Sequence, residues 1–317
     1  MNRIKNKLLL IIATMWVSTA SAQPDIHVAR FLGNRQAAIS YTFDDGLQEH
    51  YTMVRPHLNA LGLKATFCII GSKIGRDHKG TPCMTWEQLK EMAAEGHEIT
   101  SHGFKHQSME KLSGEAMRYE VQHNDTLIFN KVGVFPRTYF YPGNRKTSEG
   151  LAFCSKDRVG TRTAQVSFGG RRDSLWIAKW VDRLLKKGEW GVTMTHGITI
   201  GFDCFPDRPQ MLWNHLEHVA RMQDRIWVAT FHDVAAYVAE RDTITLDVAQ
   251  GKGTVTVTPS LSLDPKLFFQ PLTMVVGAEV AEARQNKKSL PLTFKEGKTL
   301  FDFDPNGGKI NIKLKKK

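Results

Sequence analysis

The sequence has few cysteines and no long hydrophobic run beyond its first residues. Only four of the 317 residues are cysteine (Cys68, Cys83, Cys154 and Cys204). None of them has the close spacing of a zinc knuckle. Cys68 lies in the apolar segment ATFCII and is predicted to be a buried thiol, whereas disulfide pairing is left open. After residue 22, no segment approaches the length of a transmembrane helix.

The first 22 residues have the composition of a secretory signal. A basic MNRIKNK precedes an apolar LLLIIATMWVSTA and a small-x-small cleavage site at Ala20-Ser21-Ala22. The apolar part is short for a bilayer span, although an uncleaved anchor is the alternative. No cysteine follows the signal, which argues against a lipoprotein. We therefore expect export to the periplasm or the extracellular space, with no stable membrane span after cleavage.

Acidic residues are outnumbered by basic ones, and the formal net charge is +11. The predicted signal contains three basic residues and no acid, so the remainder has a net charge of +8. Much of the excess lies in the final KINIKLKKK. Such a balance favours anionic partners such as a membrane surface, a wall polymer or nucleic acid. Export argues against nucleic acid, and a solvated basic tail is the simpler interpretation.

Strand-like and helix-like segments alternate from about residue 37 to residue 240, which predicts an α/β fold with a parallel sheet or barrel. The predicted strands include AAISYTF, KATFCIIG, HEITSH, RTYFYPGN and WGVTMTHG. From about residue 242 the segments become short, β-branched and separated by turns, as in TITLDVA and GTVTVTPSL. We therefore predict three parts: a signal peptide at 1–22, a catalytic domain at 23–240, and a small all-β, sandwich-like accessory domain at 241–317.

Polar clusters follow several of these strands, at the edge where parallel α/β folds collect their chemistry. Asp44 and Asp45 end the first strand, and two such close carboxylates repel unless a cation holds them. One aspartate can bind a metal while the other accepts a proton from water. Alone, Asp-Asp-Gly is more often a plain turn.

Two histidines four residues apart, His102 and His106, follow the third strand. They would share a face if the backbone coiled helically there, although two unrelated surface histidines are the alternative. With Asp45 they complete a set of three protein ligands that leaves a position open, as in catalytic zinc sites.

Two further clusters lie at strand ends. Residues 139–144 read YFYPGN. The aromatic side chains could form a sugar platform, and a backbone N–H there could stabilise an oxyanion. The alternative is a buried aromatic strand that ends in a Pro-Gly turn. His196 ends the apolar strand VTMTH. Beside a metal site, this histidine becomes a candidate general acid.

In this order, strand–DD, strand–HxxxH, strand–YPG and strand–H, the sequence resembles the polysaccharide deacetylase family, carbohydrate esterase family four. TFDDG and SHGFKH are close to its first two motifs and TMTH to its last, over roughly residues 36–240. The resemblance implies an irregular, incomplete (β/α) barrel. It implies that Asp44 is the general base, that Asp45, His102 and His106 are the metal ligands, and that His196 is the general acid. It also implies that Met194 lines the acetyl-methyl pocket, that Tyr141 and Pro142 contact the substrate, and that the backbone N–H of Tyr141 or a neighbour supports the oxyanion.

Three departures from the family pattern stand out. Gly103 replaces the usual serine or threonine of the second motif. Phe140 occupies the place where many members have an arginine that pairs with the catalytic aspartate. The arginines that could replace it are Arg137, Arg145 and Arg162. The family's Asp-Trp element is unclear, with Asp173 and Trp176, or Trp180 and Asp182, as weak candidates.

The resulting prediction is a metal-dependent hydrolase that removes acetyl groups from a carbohydrate. Zn²⁺ is expected as the metal, with Co²⁺ or Ni²⁺ as alternatives. An N-acetyl sugar polymer such as chitin, peptidoglycan or poly-N-acetylglucosamine is favoured as substrate. The alternatives are an acetylxylan-type esterase acting on O-acetyl sugars and a catalytically weak, glycan-binding protein. A glycosidase with Asp44 and Asp45 as its carboxylate pair ranks last, because the histidines would have no role.

Overall fold

The computed structural model describes residues 24–315. The predicted signal at residues 1–22 lies outside them, as do the last two lysines of the basic tail. No helix among the described residues is long and apolar enough to cross a bilayer.

The first part of the chain alternates short strands with helices. The strands are β1 (Ile26–Val28), β2 (Ala37–Ser40), β3 (Thr42–Phe43), β4 (Thr66–Ile69), β5 (Asp77–His78), β6 (Thr81–Pro82), β7 (Glu98–Ser101), β8 (Thr138–Phe140), β9 (Gly160–Arg162), β10 (Val166–Ser167), β11 (Trp190–Met194) and β12 (Ile226–Val228). The helices are α1 (Arg55–Ala60), α2 (Trp86–Ala94), α3 (Gly114–Arg118), α4 (Asn124–Val132), α5 (Ser148–Ser155), α6 (Ser174–Lys187), α7 (Pro209–Ala220) and α8 (Phe231–Thr243).

Two parallel sheets join into one curled sheet. One has the order β3-β4-β7-β8-β9 and the other β10-β11-β2-β12. They meet where Thr195 continues β11 alongside β3, with hydrogen bonds from Asp44 N to Thr195 O (2.8 Å) and from Thr195 N to Thr42 O (3.0 Å). The predicted irregular, incomplete (β/α) barrel is thereby confirmed.

Local sequence signals explain where several helices begin and end. Thr85 and Gln88 form a capping box at the start of α2. The long helical pattern of residues 113–133 becomes α3, a π-helical turn at Tyr119–His123 and α4, which ends at Gly133 with φ of 90°. Apolar faces of these helices pack on the curled sheet around a core that includes Phe43, Phe67 and Ile99.

The last part of the chain is all-β, as predicted, and its strands pair antiparallel. Its strands are β13 (Thr245–Gly251), β14 (Thr254–Ser260), β15 (Leu272–Val276), β16 (Val280–Gln285), β17 (Lys288–Ser289), β18 (Thr293–Lys295), β19 (Lys298–Phe303) and β20 (Ile310–Leu314). They form sheets β13-β14-β20-β16-β17 and β1-β15-β19-β18. Both sheets contribute to one core, which Val234 and Tyr237 of α8 share.

The predicted boundary between residues 240 and 241 lies within α8. The early strand β1 belongs to a C-terminal sheet, where it pairs with β15. The division into domains therefore stays a prediction. All four cysteines are free, and Cys68 is buried as expected.

Candidate functional site

The predicted site residues meet at the carboxyl edge of the curled sheet, because β3, β7, β8 and β11 run parallel there. A cavity of about 580 Å³ opens at this edge. Its lining comprises Asp44, Asp45, Leu47, His78, Lys79, Thr81, His102, His106, Tyr141, Gly143, Asn144, Met194, His196, Gly201 and Phe202.

Asp45, His102 and His106 come together as a possible metal-binding set. One ligand atom from each lies within 4.8 Å of the other two. The Nε2 atoms of His102 and His106 are each 3.7 Å from Asp45 Oδ1. This convergence leaves the side facing the cavity open, as a catalytic metal site requires.

The chemistry of these three side chains fits a divalent cation. Asp45 Oδ1 is buried and has no hydrogen-bond partner among residues 24–315, which is costly unless a cation compensates it. The Nδ1 atom of His102 lies 2.8 Å from the carbonyl of Phe140, which fixes the proton on Nδ1 and leaves the Nε2 lone pair free. Burial lowers the pKa of His106, so its imidazole is neutral as a ligand must be.

A second set, Asp44, Cys68 and His102, has equally close atoms but does not fit a cation. Both oxygens of Asp44 already accept hydrogen bonds from Arg162. Burial, followed by the negative charge of Asp44, raises the pKa of the Cys68 thiol well above its usual value, whereas metal binding requires the thiolate.

The loop between the two histidines is not helical, so the helical coil considered from their spacing is wrong. Gly103 has φ of 80° and His106 has φ of 61°. This loop folds over the buried carboxylate of Glu120, which accepts hydrogen bonds from the backbone N–H groups of Lys105 (3.0 Å) and Gln107 (2.9 Å). A Cβ atom on residue 103 would lie 2.4 Å from Glu120 Oε1, which explains the glycine.

Asp44 is buried and paired with Arg162, which lies at the end of β9. Burial alone would raise the pKa of Asp44, but the charge and hydrogen bonds of Arg162, with His102 and His196, hold it well below its usual range. Arg162 Nη1 also donates to Thr42 Oγ1 (2.6 Å), which in turn donates to the carbonyl of Thr193. Asp44 is therefore a fixed carboxylate.

Of the three arginines considered as replacements for the family's third-motif arginine, Arg162 alone contacts Asp44 in the described chain. Arg137 donates to the carbonyl of Asp157 (3.3 Å). Arg145 forms an exposed ion pair with Glu110.

His196 lines the same cavity as the histidine pair. Its backbone carbonyl is held by His50, whose Nε2 lies 2.7 Å away. Its Nδ1 atom is buried and has no partner within the described chain. Phe202 contacts the imidazole edge-to-face, with ring centroids 5.0 Å apart.

Neither candidate for the family's Asp-Trp element hydrogen-bonds His196. Asp173 is the N-cap of α6, where it accepts the backbone N–H of Trp176. Trp180 is buried against Phe168, with ring centroids 5.0 Å apart.

Of the three residues predicted to contact substrate, two line the cavity and Pro142 does not. Met194 and Tyr141 line the cavity. The ring of Tyr141 is buried and its hydroxyl donates to Thr161 (3.2 Å), so any direct role rests on its backbone. Pro142 is buried and begins the turn Pro142–Asn144, but the cavity is lined by its neighbours Gly143 and Asn144.

The loop that carries Phe202 is anchored by Glu49. One carboxylate oxygen of Glu49 accepts the backbone N–H groups of Ile198 (2.8 Å) and Thr199 (2.9 Å), and the other accepts the hydroxyl of Thr199. Phe202 is nevertheless 63% exposed and faces the cavity. The sequence FDCFPDRP at residues 202–209 predicts a loop near the site, following His196, that could contact sugar.

Comparisons with known proteins agree with the geometry. Residues 33–155 match the family model for polysaccharide deacetylase. YxkH of Bacillus subtilis, named as a polysaccharide deacetylase, is 32% identical over 121 residues, which cover 38% of this chain and 42% of YxkH. The peptidoglycan-N-acetylglucosamine deacetylase PgdA of Listeria monocytogenes is 30% identical over 101 residues, which cover 32% of this chain and 20% of PgdA. The chain thus spans less than half the length of these relatives.

A crystal structure from Mycobacterium smegmatis, also named as a polysaccharide deacetylase, has the same fold. It superimposes with a TM-score of 0.54 at 15% identity and covers 71% of this chain and 98% of that one. At this identity the likeness concerns the fold alone. The family match includes both the Asp44-Asp45 and the His102–His106 motifs, and residues 33–155 of this chain are therefore similar to the polysaccharide deacetylase family.

Proposed function

We propose that the chain is a metal-dependent hydrolase that removes acetyl groups from a carbohydrate, with an N-acetyl sugar polymer as the favoured substrate. The observation that carries the proposal is the buried, unpartnered Oδ1 of Asp45, which faces two imidazole nitrogens beside the fixed carboxylate of Asp44. Asp45, His102 and His106 would hold the cation, for which we propose Zn²⁺. A divalent cation bound there would polarise the acetyl carbonyl and make an adjacent water more acidic.

Asp44 is the proposed general base. It takes one proton from the attacking water as the water oxygen bonds to the acetyl carbon. Its low pKa makes it a weak base, but Arg162 keeps it ionised and in one orientation. The backbone N–H of Tyr141 is the proposed donor to the developing negative charge on the acetyl oxygen.

His196 is the proposed general acid. In its protonated form it donates to the sugar nitrogen as the carbon–nitrogen bond breaks, so acetate and a free amino sugar result. Phe202 contacts the His196 ring and lies exposed at the same side of the cavity. It would therefore stack on the sugar that carries the leaving group. Met194 would enclose the acetyl methyl group.

Two alternatives remain from the sequence. O-acetyl esters would undergo the same steps with an oxygen leaving group, so acetylxylan is the second candidate substrate. A glycan-binding protein without chemistry was suggested by the missing third-motif arginine, and Arg162 removes that reason. A glycosidase requires one carboxyl with a raised pKa as its acid, whereas the pKa of Asp44 is lowered.

The proposed substrate and export suggest action on a glycan outside the cytoplasm. The deacetylase name of PgdA in Listeria monocytogenes supports an N-acetyl substrate for this chain. The name of a chitin deacetylase from Pestalotiopsis sp supports it equally.

Acetate release from purified protein tests the proposal. Metal-stripped protein is assayed with N-acetylated chitooligosaccharides and with acetylated xylan, before and after addition of Zn²⁺. We expect release only after Zn²⁺ is added, and faster release from the N-acetyl substrate. Asp44→Asn should retain Zn²⁺ binding and lose about 10²–10⁴-fold in rate. No release from any acetylated glycan by folded, Zn²⁺-loaded protein would refute the hydrolase.

A further inference from the structure

His78 is a buried histidine in the cavity that neither the sequence motifs nor the proposed steps use. It lies on the short hairpin β5–β6, which is inserted between β4 and α2. The two residues that connect the strands, Lys79 and Gly80, both have positive φ (53° and 82°), which gives a tight turn. Asp77 Oδ1 accepts the N–H of Gly80 (2.6 Å) and closes the turn.

The hairpin places the His78 ring against the metal-binding set. His78 is 7% exposed, and its ring centroid is 5.9 Å from that of His106. Its Nε2 atom lies 3.9 Å from Asp45 Oδ2. Asp45 therefore directs Oδ1 to His102 and His106 and its second oxygen, Oδ2, to His78.

The position of the His78 proton follows from its surroundings. Nδ1 is buried and has no hydrogen-bond partner in the described part of the chain. Nε2 faces a carboxylate oxygen. A neutral imidazole therefore carries its proton on Nε2, where it can donate to Asp45.

We infer that His78 is a positioning residue for Asp45, to which it donates a hydrogen bond from Nε2 at Oδ2 when the cation is bound. This inference rests on the proposed cation site. Carboxylates that ligate metals are themselves commonly hydrogen-bonded, and the bond fixes which oxygen faces the metal. Here it would leave Oδ1 for the cation and keep Asp45 from rotating to offer both oxygens.

Direct ligation by His78 is the competing role. The atoms of Asp45, His102 and His106 all lie within 4.8 Å of one another, and no nitrogen of His78 joins that group. Its position beside the outer oxygen of Asp45 favours the donor role.

Zinc affinity of three variants tests the inference. His78→Gln keeps an N–H donor near the position of Nε2, His78→Leu removes it, and His78→Asn keeps an amide too short to reach Asp45. Metal-stripped proteins are titrated with Zn²⁺ against a chromogenic chelator, and folding is checked by thermal unfolding without metal. We expect His78→Leu and His78→Asn to weaken Zn²⁺ binding about 10–100-fold and His78→Gln to retain most of the affinity.

Pro82→Ala, an exposed and uncharged change on the same hairpin outside the cavity lining, is the matched control and should bind Zn²⁺ as the wild type does. If His78→Leu does not fold, the comparison of His78→Asn with His78→Gln decides. Wild-type affinity in the folded Leu or Asn variant overturns the inference. Equal loss in all three variants also overturns it, in favour of imidazole ligation. Absence of Zn²⁺ binding by the wild type overturns the proposed function together with this inference.

Discussion

Arg162 holds both oxygens of Asp44, with Nη1 2.7 Å from Oδ1 and Nη2 2.5 Å from Oδ2, across 118 residues of sequence. Both side chains are almost fully buried. A bidentate ion pair of this kind fixes the orientation of the carboxylate as well as its charge. The arginine is thus supplied by the strand β9, adjacent to the strand that carries the family's third motif.

Replacing Arg162 with methionine should leave the Asp44 carboxylate buried without its partner. We expect the unfolding free energy in urea to fall by about 3–5 kcal/mol. Burial raises the pKa of Asp44 once the opposing charge is gone, so the acid limb of the pH–kcat/KM profile should move to higher pH. Arg162→Lys keeps the positive charge but cannot form the bidentate hydrogen bonds, so it should shift the acid limb of the profile less. An unmoved acid limb in the methionine variant would exclude this role for Arg162.

Replacing Glu120 with glutamine should weaken Zn²⁺ binding. The carboxylate accepts backbone N–H groups of the loop that carries His106, and an amide nitrogen turned to the same groups would repel them. We expect a loss of about 10–100-fold in Zn²⁺ affinity, measured by chelator competition. Glu115→Gln, an exposed change on the preceding helix α3, should leave the affinity unchanged. Equal affinity in the two variants would show that the loop holds its shape without Glu120.

Replacing Phe202 with alanine should impair substrate binding while leaving the metal in place. Loss of one stacking partner costs about 0.5–1.5 kcal/mol, or about 2- to 12-fold in KM for a chitooligosaccharide. Zn²⁺ affinity should not change. Phe294→Ala removes a similarly exposed phenylalanine from β18 and is the control. A KM that stays at the wild-type value would remove Phe202 from the substrate site.

Replacing Glu240 with glutamine should change how stability depends on pH. Burial raises the pKa of Glu240 to about 7, and its Oε2 has no partner in the described residues. The pKa of Glu240 in the folded protein lies above that of a glutamate in the unfolded chain. The folded state therefore loses stability as the pH rises from the unfolded pKa through the folded pKa, toward pH 8. Glu240→Gln removes that cost, so the variant should gain about 2–3 kcal/mol relative to wild type between pH 4 and pH 8. Urea unfolding measures the gain, and the exposed Glu296→Gln should show none.

The sequence was sufficient to predict which strand ends bring the candidate site residues together. Asp45, His102 and His106 converge because parallel strands deliver their carboxyl ends to one edge, whatever loops follow. The spacing of the two histidines could not show that they lie on a loop with positive φ at His106 rather than on a helix. The shape of this loop depends on the carboxylate of Glu120, which lies outside the motif.

The supporting residues gave weaker signals. Arg162 was one of three arginines that could approach Asp44, and only the register of β9 beside β8 decides among them. His78 lies in an inserted hairpin without a family motif, so no periodicity marks it. Residues that act through a metal ligand have no fixed spacing from it, because any element that reaches the ligand can supply them.

The pairing of β1 with β15 has a consequence for how the chain reaches its final form. His27 lies opposite Val275, so an early strand of the polypeptide remains without its neighbour until the last quarter has been synthesised. A ribosome-bound chain shortened to residue 240 would therefore present β1 without its partner strand. Because unpaired strands associate with one another, we expect such truncated chains to aggregate.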